Sequence, residues 1–190
     1  MSDKPIVLLD ACVLYPFYLR DFLIHLSFTS RLYHPRWTYR IQEEWARHLI
    51  ENVVTVDGKK ISRIQKLMNI AIPDALVPEE EFKNLIPELS LPDKDDVHVL
   101  AAAIAGDVES IVTFNLKDFP SAKLKPYDLK AVSPDDLTCF LCSVDIDGVL
   151  KALLAQASIM QNPPKTPKEV LQVRRKAGLK ESSELLKQFL

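Results

Sequence analysis

The sequence predicts an α/β fold: a twisted parallel sheet flanked by helices, followed by a small helical appendage. Three observations carry this. Pro5-Ile-Val-Leu-Leu9 and Ile111-Val-Thr-Phe114 are short, continuously apolar runs, the pattern of strands buried on both faces. Asp10 ends the first run and Asn115 and Asp118 follow the second; in open α/β sheets ligands bind outside the C-terminal ends of the strands. Between the runs lies Leu91-Pro-Asp-Lys-Asp-Asp-Val-His-Val-Leu-Ala-Ala-Ala-Ile-Ala-Gly106. It reads as acids at a helix start, then an alanine-rich helix able to press closely on a sheet. Gly106 is expected to stop that helix in a left-handed cap.

The elements follow in order. Phe17 to Leu32 has helical spacing, with Leu19, Phe22, Leu23 and Leu26 on one side. Leu32-Tyr-His34 is expected as a second strand. Pro35 and Thr38 open a helix to Glu51, with Ile41, Trp45, His48 and Leu49 on one face and Glu44 at its rim. Val53 to Val56 fits no single element. Asp57-Gly58 turns into a helix over 61–70. Prolines then divide the chain, leaving a short strand at 75–77 and a helix over 79–85. Ala131-Val132 begins a last strand. Ser133-Pro-Asp-Asp136 is a helix start: an N-cap, proline at the first position, then acids. Composition shifts after Ser143. Val144 to Met160 reads as helix, Asn162-Pro-Pro-Lys-Thr-Pro167 as a break, and Thr166 caps a helix that Gly178 ends. Glu181 to Leu190 forms another. The expected organisation is an α/β domain over 1–142 and a helical extension over 143–190.

Composition limits the function. Across 190 residues, 47% are hydrophobic and 26% charged, ordinary for a soluble globular chain. No apolar run approaches the roughly 20 residues that span a bilayer, and the start lacks signal-peptide order; a cytoplasmic, non-membrane protein is expected. Three cysteines are too few for a disulfide framework. Cys139-Phe-Leu-Cys142 has no further ligands at zinc-site spacing and reads as core packing. The net charge of −2 argues against a generally basic nucleic-acid binder. Residues 143–190 carry eight Lys/Arg against five Asp/Glu, and the rest sixteen against twenty-one, so an acidic body precedes a basic tail.

Asp10, Glu44, Asp96 and Asp118 share one logic, because a parallel sheet brings such positions to one edge. Carboxylates at close range cannot all stay ionised without a cation, and an oxygen-only donor set favours Mg²⁺ or Mn²⁺ over zinc. Such an ion suits phosphoryl chemistry. The bland reading is that these acids serve turns and helix caps; one of Asp95 and Asp96 is expected to cap the helix. A haloacid-dehalogenase-like site would need an acid at position 12, where Cys12 stands. A receiver domain needs an acidic pair where Asp10 is alone. A P-loop needs glycines this chain lacks.

Four separated segments resemble the motifs of PIN domains, most closely VapC-type toxin ribonucleases: Ile6-Val-Leu-Leu-Asp-Ala-Cys-Val-Leu-Tyr-Pro16, Glu43-Glu-Trp-Ala-Arg47, Asp93-Lys-Asp-Asp-Val-His-Val-Leu-Ala-Ala-Ala103 and Ile111-Val-Thr-Phe-Asn-Leu-Lys-Asp-Phe119. The tail resembles a helical extension of some VapC-like proteins. The resemblance implies a PIN-like sheet, a Mg²⁺-dependent endoribonuclease acting on RNA, a cognate antitoxin and a homodimer. It implies that Asp10, Glu44, Asp96 and Asp118 form the catalytic set, with Asp10, Asp96 and Asp118 as metal ligands. Glu43 is the neighbouring register for Glu44, and Asp93 and Asp95 are the alternatives to Asp96. Thr113 and Asn115 stand in support. Cys12 departs from the family's usual Asn and cannot reproduce an amide's hydrogen bonds. That departure supports one rival, a catalytically silent PIN-fold binding or scaffolding module; a metal-dependent DNA nuclease is a separate alternative.

Beyond the acids, His98 is expected to face away from Asp96, about 200° around the helix. Trp37, Tyr39 and Trp45 are base-stacking candidates, though Trp45 at helical spacing reads as core. Arg36, Arg40 and Arg47 are phosphate-binding candidates or ordinary surface charges. Arg174-Arg-Lys176 reads as a solvated helix face.

Overall fold

A computed structural model describes residues 4–53, 57–160 and 163–190. Most of the ambiguous stretch Val53 to Val56, and Asn162 at the start of the expected break, lie outside these. The chain forms two compact units, Met1–Tyr15 with His34–Val132, and Pro16–Tyr33 with Ser133–Leu190. The expected boundary after residue 142 falls inside the second unit.

The first unit holds the sheet. Strand β1 (Ile6–Leu9) leads into the single-turn helix α1 (Ala11–Leu14). Helix α2 (Phe17–Phe28) belongs to the second unit, and β2 (His34–Arg36) returns to the first. Helices α3 (Tyr39–Asn52), α4 (Gly58–Ala71), α5 (Glu79–Phe82) and α6 (Val97–Ala105) precede β3 (Ser110–Val112), and α7 (Ser121–Leu124) precedes β4 (Lys130–Val132). The strands are all parallel, in the order β2-β1-β3-β4. The α/β class with a flanked parallel sheet is therefore correct.

Several boundaries differ from expectation. The second strand is His34–Arg36 rather than 32–34, with Pro35 opposite Val7; β2 is an edge strand, where a residue without an N–H is tolerated. The segment at 75–77 is no strand. It makes one parallel bridge, Trp37 to Leu76, closed by Trp37 N–H to Ala75 O and Val77 N–H to Trp37 O, both 2.8 Å. The helix expected over 79–85 stops at Phe82, and Ile86–Glu88 forms a 3₁₀ turn around Pro87.

Helix α6 shows why the alanines matter. Val97, Val99, Leu100, Ala101, Ala102 and Ala103 are all buried, as a helix apolar on every side must be. It packs on β1 and β3. Gly106 does not make the expected left-handed cap: its φ is −79°, and Asp107 takes the positive φ, 49°. Close packing is what requires glycine there. A Cβ on Gly106 would sit 3.0 Å from Ala102 O and 3.1 Å from Val77 Cγ2.

The second unit is helical. Helix α2 packs on α9 (Ile146–Ile159) and α10 (Pro167–Lys176), while α8 (Pro134–Val144) packs on α9 and α11 (Lys180–Lys187). The expected starts are confirmed by two capping boxes, Ser133 with Asp136 and Thr166 with Glu169. Asp145 separates α8 from α9 by accepting the Gly148 N–H at 2.9 Å, so the helix over 144–160 begins at Ile146. Arg175 and Lys176 keep the expected solvated face, but Arg174 departs from it. It is 1% exposed, and its guanidinium carbon lies 3.2 Å from the Phe22 ring centroid, a cation–π contact. Desolvation pushes its pKa down to about 9.

Candidate functional site

Register places the first two groups. Leu9 pairs with Val112 across β1 and β3, so Asp10 and Thr113 leave the sheet side by side. Asp10 N–H donates to Val112 O at 3.1 Å. Thr113 Oγ1–H donates to Asp10 Oδ2 at 2.7 Å, and Ala11 N–H donates to Oδ1 at 2.6 Å. Asp10 is 3% exposed and Thr113 is fully buried. The Asp10 carboxylate is therefore held by a side-chain hydroxyl and a backbone N–H rather than hanging as a turn residue.

Cys12 adds to this clamp. Its thiol donates to Asp10 Oδ2 at 3.1 Å, lies 3.3 Å from Thr113 Oγ1 and accepts the Phe114 N–H at 3.3 Å. Burial, and then the adjacent Asp10, push the thiol up to about 12, so the S–H proton stays in place. The expectation that cysteine leaves this position without an amide's bonds is thus corrected: the thiol donates and accepts at once. Asn115 N–H donates to Thr113 Oγ1 at 3.0 Å, which ties the loop after β3 to the same knot; its side chain is exposed.

Asp96 stands at the N-cap of α6, yet its carboxylate makes no capping bond. The local turn is satisfied by Asp93, whose Oδ1 accepts the Asp95 N–H at 2.9 Å. The expectation that Asp95 or Asp96 is spent on capping is overturned, and the Asp96 side chain is free for other work. Burial and then repulsion from Asp10, Asp93, Glu44 and Asp118 push its pKa from 3.8 to about 7. Burial and then Asp10 raise Glu44 as well. Acids from β1, α3, the α6 start and the 3₁₀ turn Leu116–Asp118 therefore share one field.

The two glutamates separate clearly. Glu44 is half-buried and feels Asp10 and Asp95. Glu43 points into another cleft, lined by Tyr39, Gln42, Gln65, Lys66 and Asn69. Asp93 and Asp95 are exposed, and Asp96 and Asp118 are intermediate. His98 does not face away: its Nε2 lies 3.8 Å from Glu44 Oε2. The helical angle misled because Asp96 precedes the first helical residue, and because Glu44 reaches His98 from another helix. Burial, then Arg40, lower the His98 pKa. Arg40 is engaged with Glu79, and Arg36 with Asp74 O. Trp37 and Trp45 are fully buried, leaving Tyr39 as the exposed ring of the three. Cys12 and His98 are the site groups sequence reasoning undervalued. Their signal was position: one two residues past a strand-end acid, the other in the first turn of an acid-led helix.

The donors suit a hard divalent cation, being carboxylate oxygens in mutual repulsion. Asp96, with an uncapped carboxylate, is the observation that fits such an ion best. Among the described residues, no three His, Cys, Asp or Glu side chains stand in a closed coordination arrangement. What they share is a location and a field.

The family model for the VapC50 C-terminal domain matches residues 134–188. Over 76 residues the chain is 41% identical to "Putative ribonuclease VapC50" of Mycobacterium tuberculosis (strain ATCC 25618 / H37Rv), covering 40% of this chain. The aligned part is 45% of that relative's length, so the chain matches under half of the curated relative. No solved structure matches the chain. Among the described residues no helix is long and apolar enough to cross a membrane.

Proposed function

We infer that this chain is a VapC-type PIN protein with a C-terminal extension, and that it acts as a Mg²⁺- or Mn²⁺-dependent endoribonuclease; the matches to the VapC50 C-terminal domain and to a VapC50 relative support this reading. The supporting observation is the convergence of Asp10, Glu44, Asp96 and Asp118 from four separate segments onto one field. Asp10, Asp96 and Asp118 would hold the ion. Bound there, a divalent cation lowers the pKa of water and neutralises charge on phosphate oxygens. The protein's own contribution is orientation. Thr113 and Cys12 fix Asp10 Oδ2, and Glu44, raised by burial and Asp10, is suited to accept a proton from an attacking water.

The family reading extends to a toxin restrained by a cognate antitoxin protein, working as a homodimer in the cytoplasm on RNA. The test is direct. Asp10→Asn and Asp96→Asn should each abolish Mg²⁺-dependent cleavage of RNA while circular dichroism stays unchanged. Cleavage that survives both substitutions would remove the site assignment. A matched DNA strand, cut as fast as the RNA, would move the activity to a DNA nuclease.

A further inference from the structure

Helix α4 is charged in one sense only. It carries Lys59, Lys60, Arg63 and Lys66 and no Asp or Glu, in a chain whose net charge is −2. All four are exposed, and among the described residues none forms an ion pair. Lys59, Arg63 and Lys66 fall within about 60° of the helix circumference, about 6 and then about 4.5 Å apart along the axis. An uncompensated row of cations repels itself, and an anionic strand relieves that.

The row borders a cleft of about 400 Å³. Lys66 belongs to both. The cleft is floored by amides locked by their own bonds: Gln42 Nε2 and Trp37 Nε1 donate to Asn69 Oδ1 at 2.9 and 2.8 Å, and Gln65 Nε2 donates to Gln42 O at 2.8 Å. Tyr39, 57% exposed, supplies an aromatic face at its wall, and Glu43 supplies an acceptor. The Glu43 carboxylate and the exposed Tyr39 ring suit the edge and face of an unpaired nucleobase, above a floor whose amides are already paired with one another. Tyr39 lies five residues before Glu44 on α3, about 7.5 Å along the axis and about 140° around it, so a strand held in the cleft must wrap α3 to reach the acids.

From this juxtaposition we propose that the α3–α4 cleft and the α4 basic row form the binding track for single-stranded RNA, with phosphates on Lys59, Arg63 and Lys66 and a base stacked on Tyr39. The proposal rests on the ribonuclease reading of the neighbouring acids and names the substrate surface that feeds them.

The test uses the full chain in EDTA and a fluorescent, mixed-sequence single-stranded RNA, with anisotropy followed against salt. Lys59→Gln/Arg63→Gln/Lys66→Gln should lower the slope of log affinity against log salt by about 2. A control triple of equal charge change, Lys123→Gln/Lys125→Gln/Lys130→Gln, should leave the slope in place. Tyr39→Ala should weaken binding about tenfold, and Tyr39→Phe should restore it, because the ring and not the hydroxyl stacks. Equal slopes for both triples, or Tyr39→Ala binding like wild type, would overturn the proposal. So would a triple variant that keeps RNA affinity but loses poly-glutamate, which would make the row a protein-docking surface. Failure of the two ideas is distinguishable. RNA cleavage that persists in Asp10→Asn sinks the site reading, whatever α4 does. Binding indifferent to α4 in a chain that cleaves RNA sinks only the track.

Discussion

Thr113 and Asp10 leave neighbouring parallel strands at the same level, and the threonine hydroxyl donates to Asp10 Oδ2 at 2.7 Å. Both are buried. A bond to a buried carboxylate contributes roughly 1.5–3 kcal/mol. Thr113→Val keeps the shape and removes the donor. Urea unfolding should show a loss in that range, and RNA cleavage should fall at least tenfold as Asp10 loses its orientation. Unchanged cleavage would mean that Cys12 and the Ala11 N–H suffice to hold the carboxylate.

Asp96 couples the site to pH. Its pKa in the folded chain is raised from 3.8 to about 7 by burial and neighbouring acids. Between those values the folded state keeps a proton that the unfolded state has released, so stability falls as pH rises through that window. In EDTA, the urea midpoint should drop from pH 5 to pH 7.5 in wild type and drop less in Asp96→Asn. Parallel curves for the two proteins would contradict the shared field.

Asp135 is a cap supplied from a distance. Its Oδ2 accepts the Glu181 N–H at 2.8 Å, and its Oδ1 accepts the Ser182 N–H at 3.0 Å and the Ser182 hydroxyl at 2.6 Å. Leu179, at the N-cap of α11, offers no side-chain bond. Asp135→Ala should therefore cost about 1–2 kcal/mol and speed amide exchange over residues 181–187. Exchange confined to its wild-type rate would show that packing alone orders α11.

Truncation tests the second unit. Phe22, Leu23 and Leu26 of α2 are buried, and α2 packs on α9 and α10. Deleting residues 144–190 strips both partners and leaves that apolar face bare, so the truncated chain should aggregate on a sizing column. A monodisperse truncation would mean that α2 finds cover elsewhere.

Local chemistry made much of this legible in the sequence. Short apolar runs followed by polar groups foretold β1 and β3. Ser133 and Thr166 foretold two helix starts, which the structure closes as capping boxes. Asp96 was readable as a helix-leading acid, but not as an uncapped one, because Asp93 takes the local N–H. Arg174 looked solvated because nothing nearby in sequence announces Phe22.

The sequence by itself determined periodicity, caps and the order of strands and helices, since these depend on residues within a few positions of one another. Only the tertiary structure set Glu44 in the field of Asp10 and Glu43 at a separate cleft, turned His98 toward Glu44, and gave the Cys12 thiol its partners Asp10, Thr113 and Phe114. Each of those outcomes depends on groups up to about a hundred positions apart, brought together by strand register and helix packing. One-dimensional spacing carries no record of such distances.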